Sequence, residues 1–550
     1  MDVVLVGLPG SGKSVVGRRL ASRHGATFLD LDESIERSTG RTIPEIFETD
    51  GEAAFRALER AAVADLGPAD PSPTLKRVIS TGGGTVIDPR NRWLLFRGRV
   101  PIWLDARPEV LAQRLRRSVR VRPLVAGRDP IGAVRELGRA RERFYAAAHH
   151  LNSVAEVVSV VDAADRLVGV GPLGGTVLLR ASTRLGDLVL GEGIAAAAVA
   201  AALRRHEARR AIIVSEPGAW AAVGERLADD LHHDGWTIGT VLLPQGEDAK
   251  RLSIVETAAR ELARMRVERG EPIVAVGGGA LGDTAGFLAA TYLRGVPWIG
   301  VPTTLVAQVD SSLGGKTAVD LPEGKNLVGA FHQPATVVID IGTLRSLPPR
   351  QLRAALGECV KMAALGDERL FATLEAEGPA LAAGDPSAWA SGAAAEVVER
   401  SAWAKVETVL ADERETGGMA GGRIALNLGH TIGHGLEAAD GYTNLLHGEA
   451  VAYGLRAACR IGVALDVTPA DRAARVEALL DRLSLGVEPL PLGRDEVLTA
   501  MGTDKKHAGG RQRWVLIAPP GSVVRDDVPD EVVTTALEGV LAGRPVEASA

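Results

Sequence analysis

Short runs of β-branched and aliphatic residues alternate along the chain with longer stretches whose apolar positions recur every three to four residues. VVLVG (3–7), ATFLD (26–30), RVIST (77–81) and RVPIWLD (99–105) read as buried strands with helices between them. Such alternation predicts a parallel α/β sheet. It weakens over 154–175, where VGVGPLGG reads as a connector. A second α/β alternation begins at VLLRAS and runs through AIIVSEP, TVLLP, PIVAVGGG, WIGVPTT and TVVID. From about residue 347 the pattern turns helical and Ala-rich, with few strand signals before RWVLIAP. The division expected is an α/β domain at 1–170, a linker at 171–178, a second α/β domain at 179–346 and a mostly helical domain at 347–550. A length of 550 residues suits about three domains at ~100–200 residues each.

Composition narrows the function classes. A hydrophobic share of 46% with 24% charged residues is that of a globular chain, not a disordered one. The net charge of −6 gives no global attraction to nucleic acid or to an anionic membrane. Two cysteines, Cys359 and Cys459, make no disulfide framework and suggest a reducing compartment. The Ala/Val-rich run at 194–203 is far short of the ~20 apolar residues that span a bilayer. MDVVLVG has no basic segment before its apolar run, so no signal peptide is expected and the protein is read as soluble and cytoplasmic. Of 63 basic residues only nine are Lys, and all but Lys76 fall in segments that look like motifs on other grounds. They map anionic sites where a compact ammonium is wanted instead of a planar fork.

Gly7-Leu-Pro-Gly10-Ser11-Gly12-Lys13-Ser14 fits G-x-x-x-x-G-K-[ST] and lies between a strand and a helix. Backbone N–H groups through Val15 can curl round phosphate oxygens at the helix N-terminus, Lys13 can reach the β/γ-phosphates of ATP, and Ser14 can hold Mg²⁺. Asp30 and Asp32 close the next strand, one placed to order Mg²⁺ and the other to accept from a substrate hydroxyl. Between Arg90 and Arg143 stand fifteen arginines against five acids, and most of them read as a solvated surface. Arg122 in RPLVAG and Arg141 in RERFY are the better anion-binding candidates.

FLDLDESI, IPEIFETDGEAAFRALE, STGGGTV, VRPLVAG and RERFY occur in the order and spacing of shikimate kinases, which residues 1 to about 170 resemble. The resemblance implies a P-loop kinase fold with a parallel sheet. It implies that Asp32, Arg56, Gly83 and Arg141 hold shikimate, with Arg56 and Arg141 on its carboxylate and Asp32 near the attacking hydroxyl. Arg122 would lie on a lid over the ATP phosphates. The stretch RLRRSVRVRP departs from the family pattern in lacking its Gly-Asn.

In the second part, PIVAVGGGALGD (272–283) runs a strand into glycines that suit a pyrophosphate. A dinucleotide fold of the usual kind wants an acid about 20 residues further on. WIGVPTT stands there instead, so a different α/β arrangement is expected. VDSSLGGKTAVDLPEGKN (309–326) carries Asp310, Lys316, Lys325 and Asn326, which suit an anionic, hydroxylated substrate or else form a solvated loop. His430 and His434 stand four apart, His447 follows, and Glu358 precedes Lys361 by three residues. Two His and a Glu with one position open make a catalytic Zn²⁺ set. By spacing alone His430 and His434 form the first pair.

GEDAK, GGGALGDTAGFLAATYLRG, VPTTLVAQVDSSLGGKTAVD, GKNLVGAF, GECVKMA, LNLGHTIGHGLE, HGEAVAYG and MGTDKKHAGG are similar to 3-dehydroquinate synthases from about residue 176 to 540. The resemblance implies an α/β NAD-binding domain followed by a helical metal-binding domain. It makes Glu358, His430 and His447 the ligands of Zn²⁺ or Co²⁺ and turns His434 toward substrate. NAD⁺ would be held by Glu247 and Lys250, by Gly279, Ala280, Leu281, Gly282 and Asp283, by Thr303 and Thr304, by Thr343, Leu344, Arg345 and Ser346, and by Lys316 and Lys325. The C7 keto-deoxy acid phosphate would meet Asp310, Lys316, Lys325, Asn326, Lys361, Lys405, Arg423, His434 and one or both of Lys505 and Lys506. Arg294 would reach the partner's site in a homodimer. The 405–423 segment is about four residues longer than the family pattern. The expectation is a bifunctional enzyme. The alternatives are another sugar-phosphate cyclase or polyol dehydrogenase in the second part, or one catalytically dead half.

Overall fold

In the computed structural model, which describes residues 1–117, 129–171, 174–417, 422–505 and 512–543, the chain begins with a strand that is buried from end to end. This strand, β1 (Asp2–Val6), lies in a parallel sheet with β2 (Thr27–Asp30), β3 (Arg77–Ser80), β4 (Val100–Asp105) and β5 (His149–Asn152), in the order β2-β3-β1-β4-β5. Helices cover both faces, which is why the strands read as near-continuous Val/Ile/Leu runs instead of alternating. Asp2 is buried at the base of β1 and pairs with Arg77 (2.6 Å) and the equally buried Arg99 (3.2 Å). β5 was not legible in the sequence: HHLN is too short and too polar to signal a strand.

Three local features aim the functional groups of this sheet. Helix α1 (Lys13–His24) starts from Gly12 (φ 95°), which offers no side-chain cap to its first N–H groups. Asp30 ends β2 and caps α2 (Leu31–Thr39) through the N–H groups of Asp32 and Glu33, which fixes Asp32 in the first turn. Helices α3 (Gly51–Ala64) and α4 (Pro130–Tyr145) bring Arg56 and Arg141. Strands β6 (Thr176–Thr183) and β7 (Gly186–Glu192) follow.

Contacts divide the chain into Met1–Thr183 with Asp187–Ala198, and Arg184–Gly186 with Val199–Ala550. In the second unit, β8 (Arg210–Ser215), β9 (Thr237–Leu242), β10 (Ile273–Gly277) and β11 (Trp298–Pro302) are parallel. Segment 309–326 does not form a loop. After a turn of π-helix at Ala307–Ser311 it makes an antiparallel hairpin, β12 (Lys316–Leu321) and β13 (Gly324–Phe331). Its alternation is broken by glycines and charges, which hid the strands. β14 (Thr336–Asp340) returns to the main sheet beside β11, for a core order β14-β11-β10-β8-β9. Helix α5 (Gly279–Thr291) leaves β10 at Gly278 and packs against the hairpin.

The remainder is helical, as its Ala-rich pattern predicts. The site is built on α6 (Pro349–Ala364), α7 (Ala393–Ala411), α8 (His430–Ala439) and α9 (His447–Ala464). α6 and α9 approach so closely that a Cβ on Gly448 would stand 1.9 Å from the Ala354 carbonyl oxygen, and one on Gly357 2.3 Å from that of Gly448. A final hairpin pairs β15 (Trp514–Ala518) with β16 (Gly521–Arg525). Among the described residues, no helix is long and apolar enough to cross a membrane.

Candidate active sites

At the carboxyl ends of β1, β2 and β3 a cleft of about 360 Å³ is lined by Gly10, Ser11, Gly12, Lys13, Ser14 and Val15, and by Asp30, Asp32 and Gly83. Lys13 Nζ is buried and donates to the carbonyls of Gly7 (2.8 Å) and Leu8 (3.1 Å), so the ammonium is held at the mouth of its own loop. Ser14 Oγ donates to Asp30 Oδ2 at 2.7 Å. Arg141 donates to the Gly83 carbonyl at 2.8 Å, and Tyr145, one turn later, donates to the same oxygen. Arg56 lies where a side chain at Gly84 would be, and it is braced by Glu52 (2.8 Å) and the buried Glu59 (2.9 Å). Burial pushes the Glu59 carboxyl up despite Arg56.

In the second unit a cavity of about 530 Å³ is lined by Asp283, Asp310, Lys316, Asn326, Lys361 and Lys405, and by His430, His434 and His447. At its floor, Glu358 on α6 is fully buried. His430 Nε2 stands 3.3 Å and His447 Nε2 3.2 Å from Glu358 Oε1. Both rings are turned this way because their Nδ1 atoms are engaged elsewhere, by Leu428 O (3.1 Å) and Glu437 Oε2 (3.2 Å). Two atoms bound to a tetrahedral Zn²⁺ at about 2.0–2.1 Å lie about 3.3 Å apart, so each histidine donor already stands from Glu358 at the spacing of a metal's ligands, and all three donors lie within 4.8 Å of one another. Both Glu358 oxygens lack an aligned hydrogen bond, although they are within ion-pair distance of cations. These observations fit a divalent cation.

The electrostatics agree. Burial would discharge His447, but Glu358 and Glu437 push its pKa up to about 10, so the pocket attracts positive charge. His434, although exposed, is pushed below its ordinary value by desolvation and by His430 and His447, and stays neutral. Lys361 stands 2.5 Å from Glu358 and 3.7 Å from Asp310; burial opposes its charge, but these two carboxylates hold its pKa above the ordinary value. Lys405, 2.8 Å from Asp310, is pushed below its ordinary value by burial and by the cations around it. Burial opposes the charge of Asp310 as well, but Lys405 and Lys361 bring its pKa down to about 2.

Residues 9–166 match the family model for shikimate kinase, 240–354 that for the 3-dehydroquinate synthase N-terminal domain, and 355–507 that for its C-terminal domain. A 3-dehydroquinate synthase of Symbiobacterium thermophilum is 43% identical over 359 residues, which cover 64% of this chain and 97% of that one. The chain belongs to the 3-dehydroquinate synthase family, with a shikimate kinase fused before it. Among solved structures, ValA, a 2-epi-5-epi-valiolone synthase from Streptomyces hygroscopicus subsp. jinggangensis with NAD⁺ and Zn²⁺ bound, has a TM-score of 0.59 at 28% identity over 64% of this chain and 96% of its own. A 2-deoxy-scyllo-inosose synthase complexed with carbaglucose-6-phosphate, NAD⁺ and Co²⁺ has a TM-score of 0.54 at 25% identity, with the same coverage. The fusion joins a phosphotransferase to a lyase.

The synthase part places other predicted residues around rather than in its cavity. Lys250 is buried, 2.8 Å from Asp283, and donates to Asn326 Oδ1. Lys325 pairs with Glu247 at 3.3 Å and lies over the Tyr442 ring. Arg423 is buried against the Gly314 (3.1 Å) and Glu413 (2.6 Å) carbonyls. Thr303 donates its N–H to the Gly277 carbonyl at 2.9 Å, and Thr304 touches the space above Gly278. Gly279 lies close beneath the Ser311 hydroxyl; Gly279, Gly282 and Asp283 line a narrow cleft over the sheet, and Leu281 is core. In the turn 343–346, Leu344 is core, Arg345 stacks on Trp389, Thr343 bonds to Asp340 O, and Ser346 to Thr343 O. Arg294 is exposed, with Leu293 before it, both in left-handed backbone (φ 67° and 49°). Arg122, Lys506 and the side chain of Lys505 lie outside the described residues.

Sequence reasoning missed several partners. Arg114 in the kinase cleft donates to Gly10 O (3.3 Å) and Ser153 O (3.0 Å). Glu415 joins Lys316 (2.6 Å) to Asn427 (3.1 Å) in the synthase cavity wall. Glu216, buried at the end of β8, accepts from Gly246 N–H (2.6 Å) and Gly278 N–H (3.4 Å) beside the glycine turn, the kind of acid that the sequence after β11 lacks. Each is an ordinary charged residue in sequence, and only the fold shows what it faces.

Proposed function

We propose that the two sites carry out two steps of chorismate biosynthesis: ATP-dependent phosphorylation of shikimate to 3-phosphoshikimate, and conversion of 3-deoxy-D-arabino-heptulosonate 7-phosphate to 3-dehydroquinate and phosphate. The observation that carries the kinase reading is Lys13 and the uncapped N-terminus of α1 facing Asp32 across one cleft. There Lys13 and the loop N–H groups hold the ATP phosphates, Ser14 with Asp30 holds Mg²⁺, and Asp32 takes the proton of the attacking hydroxyl. Arg56 and Arg141, with Gly83, hold the substrate carboxylate.

The observation that carries the synthase reading is the convergence of Glu358, His430 and His447 beneath a cavity of ammonium groups. A Zn²⁺ or Co²⁺ held by these three would polarise substrate hydroxyls. NAD⁺ lying along Gly279–Asp283, Lys250 and Glu247 would supply a transient oxidation that acidifies the neighbouring C–H, the hydride returning from NADH to the carbon it left once phosphate has been eliminated. Lys361, kept charged between Glu358 and Asp310, stabilises the developing enolate. Lys316 and Lys405, with the buried charge of Arg423 near Lys405, gather the phosphate, which leaves by elimination with its own oxygen taking the proton. Neutral His434 and Asn326 orient the hydroxyls during ring opening and aldol closure. A homodimer in which the partner's Arg294 completes the phosphate site accounts for the exposed Arg294.

The test is an assay of the purified chain. Phosphate release from the C7 keto-deoxy acid phosphate should require NAD⁺ and metal, and shikimate phosphorylation should require ATP and Mg²⁺. Failure of either in a folded, metal-loaded protein refutes that half.

A further inference from the structure

We infer that Glu437 is the positioning residue of the metal site, holding His447 in the one tautomer that presents Nε2 to the ion. The inference rests on the metal reading above and goes beyond the three ligands. Helix α8 carries His430, His434 and Glu437 at spacings of four and three, so all three share one face. Glu437 is only 8% exposed, and its Oε2 lies 3.2 Å from His447 Nδ1. The opposite ring nitrogen, Nε2, lies 3.2 Å from Glu358 Oε1. One imidazole is thus strung between two buried carboxylates, one on each edge.

An imidazole that donates Nδ1–H to a carboxylate keeps Nε2 as its free donor pair and becomes a stronger ligand. The other ligand histidine, His430, has only the neutral Leu428 carbonyl at its Nδ1. His447 is therefore the ligand whose strength depends on a removable charge. The arrangement also ties the first residue of α9 to the last turns of α8, the helix that bears His430. Glu437 has one rival role. With His434 and His447 it forms a second set whose donor atoms lie within 4.8 Å of one another. Exposure argues against it, because His434 in that set is exposed, whereas Glu358 and His430 in the first set are both buried.

The experiment measures Zn²⁺ affinity of the full chain by competition with a chelator, together with zinc stoichiometry and thermal unfolding of the metal-free form. His447→Ala should abolish tight binding. The isosteric Glu437→Gln should weaken binding about 10-fold, and Glu437→Leu, which removes the acceptor, about 100-fold, with one zinc per chain at saturation. Metal-free unfolding of Glu437→Gln should match wild type. Wild-type affinity in both Glu437 variants, with His447→Ala defective, overturns the positioning role and leaves the metal reading standing. Wild-type affinity in His447→Ala overturns the metal reading itself. Two zinc ions per wild-type chain and one in Glu437→Gln would make Glu437 a ligand. An affinity loss matched by an equal loss of metal-free stability would make its role merely structural.

Discussion

Replacing Gly448 by Ala adds a single methyl group one residue after His447, a ligand of the proposed metal site. That methyl would stand 1.9 Å from the Ala354 carbonyl oxygen and 2.6 Å from its carbon, both backbone atoms of α6. Neither can rotate away, so α6 and α9 must separate by roughly 1.1 Å to reach even a tight contact of about 3.0 Å. Metal–ligand distances tolerate about 0.2 Å. Glu358 on α6 and His447 on α9 sit beside this contact, so the displacement is about five times what the donor set absorbs. Alanine gains about 1 kcal/mol of helix propensity over glycine, against about 1–3 kcal/mol for overpacking a close contact, so overpacking wins. The expected outcome is a Zn²⁺ affinity lowered at least about 10-fold, a lower unfolding temperature of the metal-free form, and unchanged shikimate kinase activity. Chelator competition and calorimetry measure the first two. A folded Gly448→Ala protein that binds zinc as wild type does would refute the idea that this helix contact sets the ligand spacing.

Other outcomes follow from the same structure. Asp2→Asn leaves the buried Arg99 without its counter-charge and should destabilise the kinase unit by about 3–5 kcal/mol in denaturant unfolding. Burial opposes the Asp2 charge, but Arg77, the Asp70 N–H and Arg99 depress its pKa below 3.8, so its contribution should be complete above that value and vanish as pH falls through the lower folded pKa. Burial pushes the Cys359 and Cys459 thiols up to about 12, so neither should react with a thiol reagent at pH 8 until the protein unfolds; labelling of the native chain would contradict this. An equal mixture of Arg294→Ala and Lys361→Ala proteins, each nearly inactive as a synthase, should recover up to about a quarter of wild-type activity if subunits exchange and the site is shared across a dimer. No recovery despite exchange would place Arg294 outside the partner's site.

Strands β1–β4, β8–β11 and β14 were legible because buried parallel strands leave long aliphatic runs, whereas the polar β5 was not, and the phosphate loop was legible because its glycines and Lys13 sit in fixed order. The β12–β13 hairpin was not, since Lys316 and Asn326 occupy strand positions that serve the cavity instead of the core. Spacing on one helix suggested His430 with His434. The fold instead converges His430 and His447 on Glu358, because a ligand set is closed by a second and third helix, α9 and α6, whose approach depends on Gly448 and Gly357. Glu59, Glu437 and Glu415 were invisible for a related reason: each acts on a cation or histidine, and helical charge alone does not say which side chain faces it.

One chain with two chemically independent sites should lose either activity without losing the other. Lys13→Ala and Glu358→Gln, assayed side by side for ATP-dependent shikimate phosphorylation and for NAD⁺-dependent phosphate release, test it most directly. Lys13→Ala should lose the first activity and keep the second, and Glu358→Gln should do the reverse while losing its zinc. A variant that loses both activities while remaining folded, or a Glu358→Gln protein that still releases phosphate at the wild-type rate, would contradict the account.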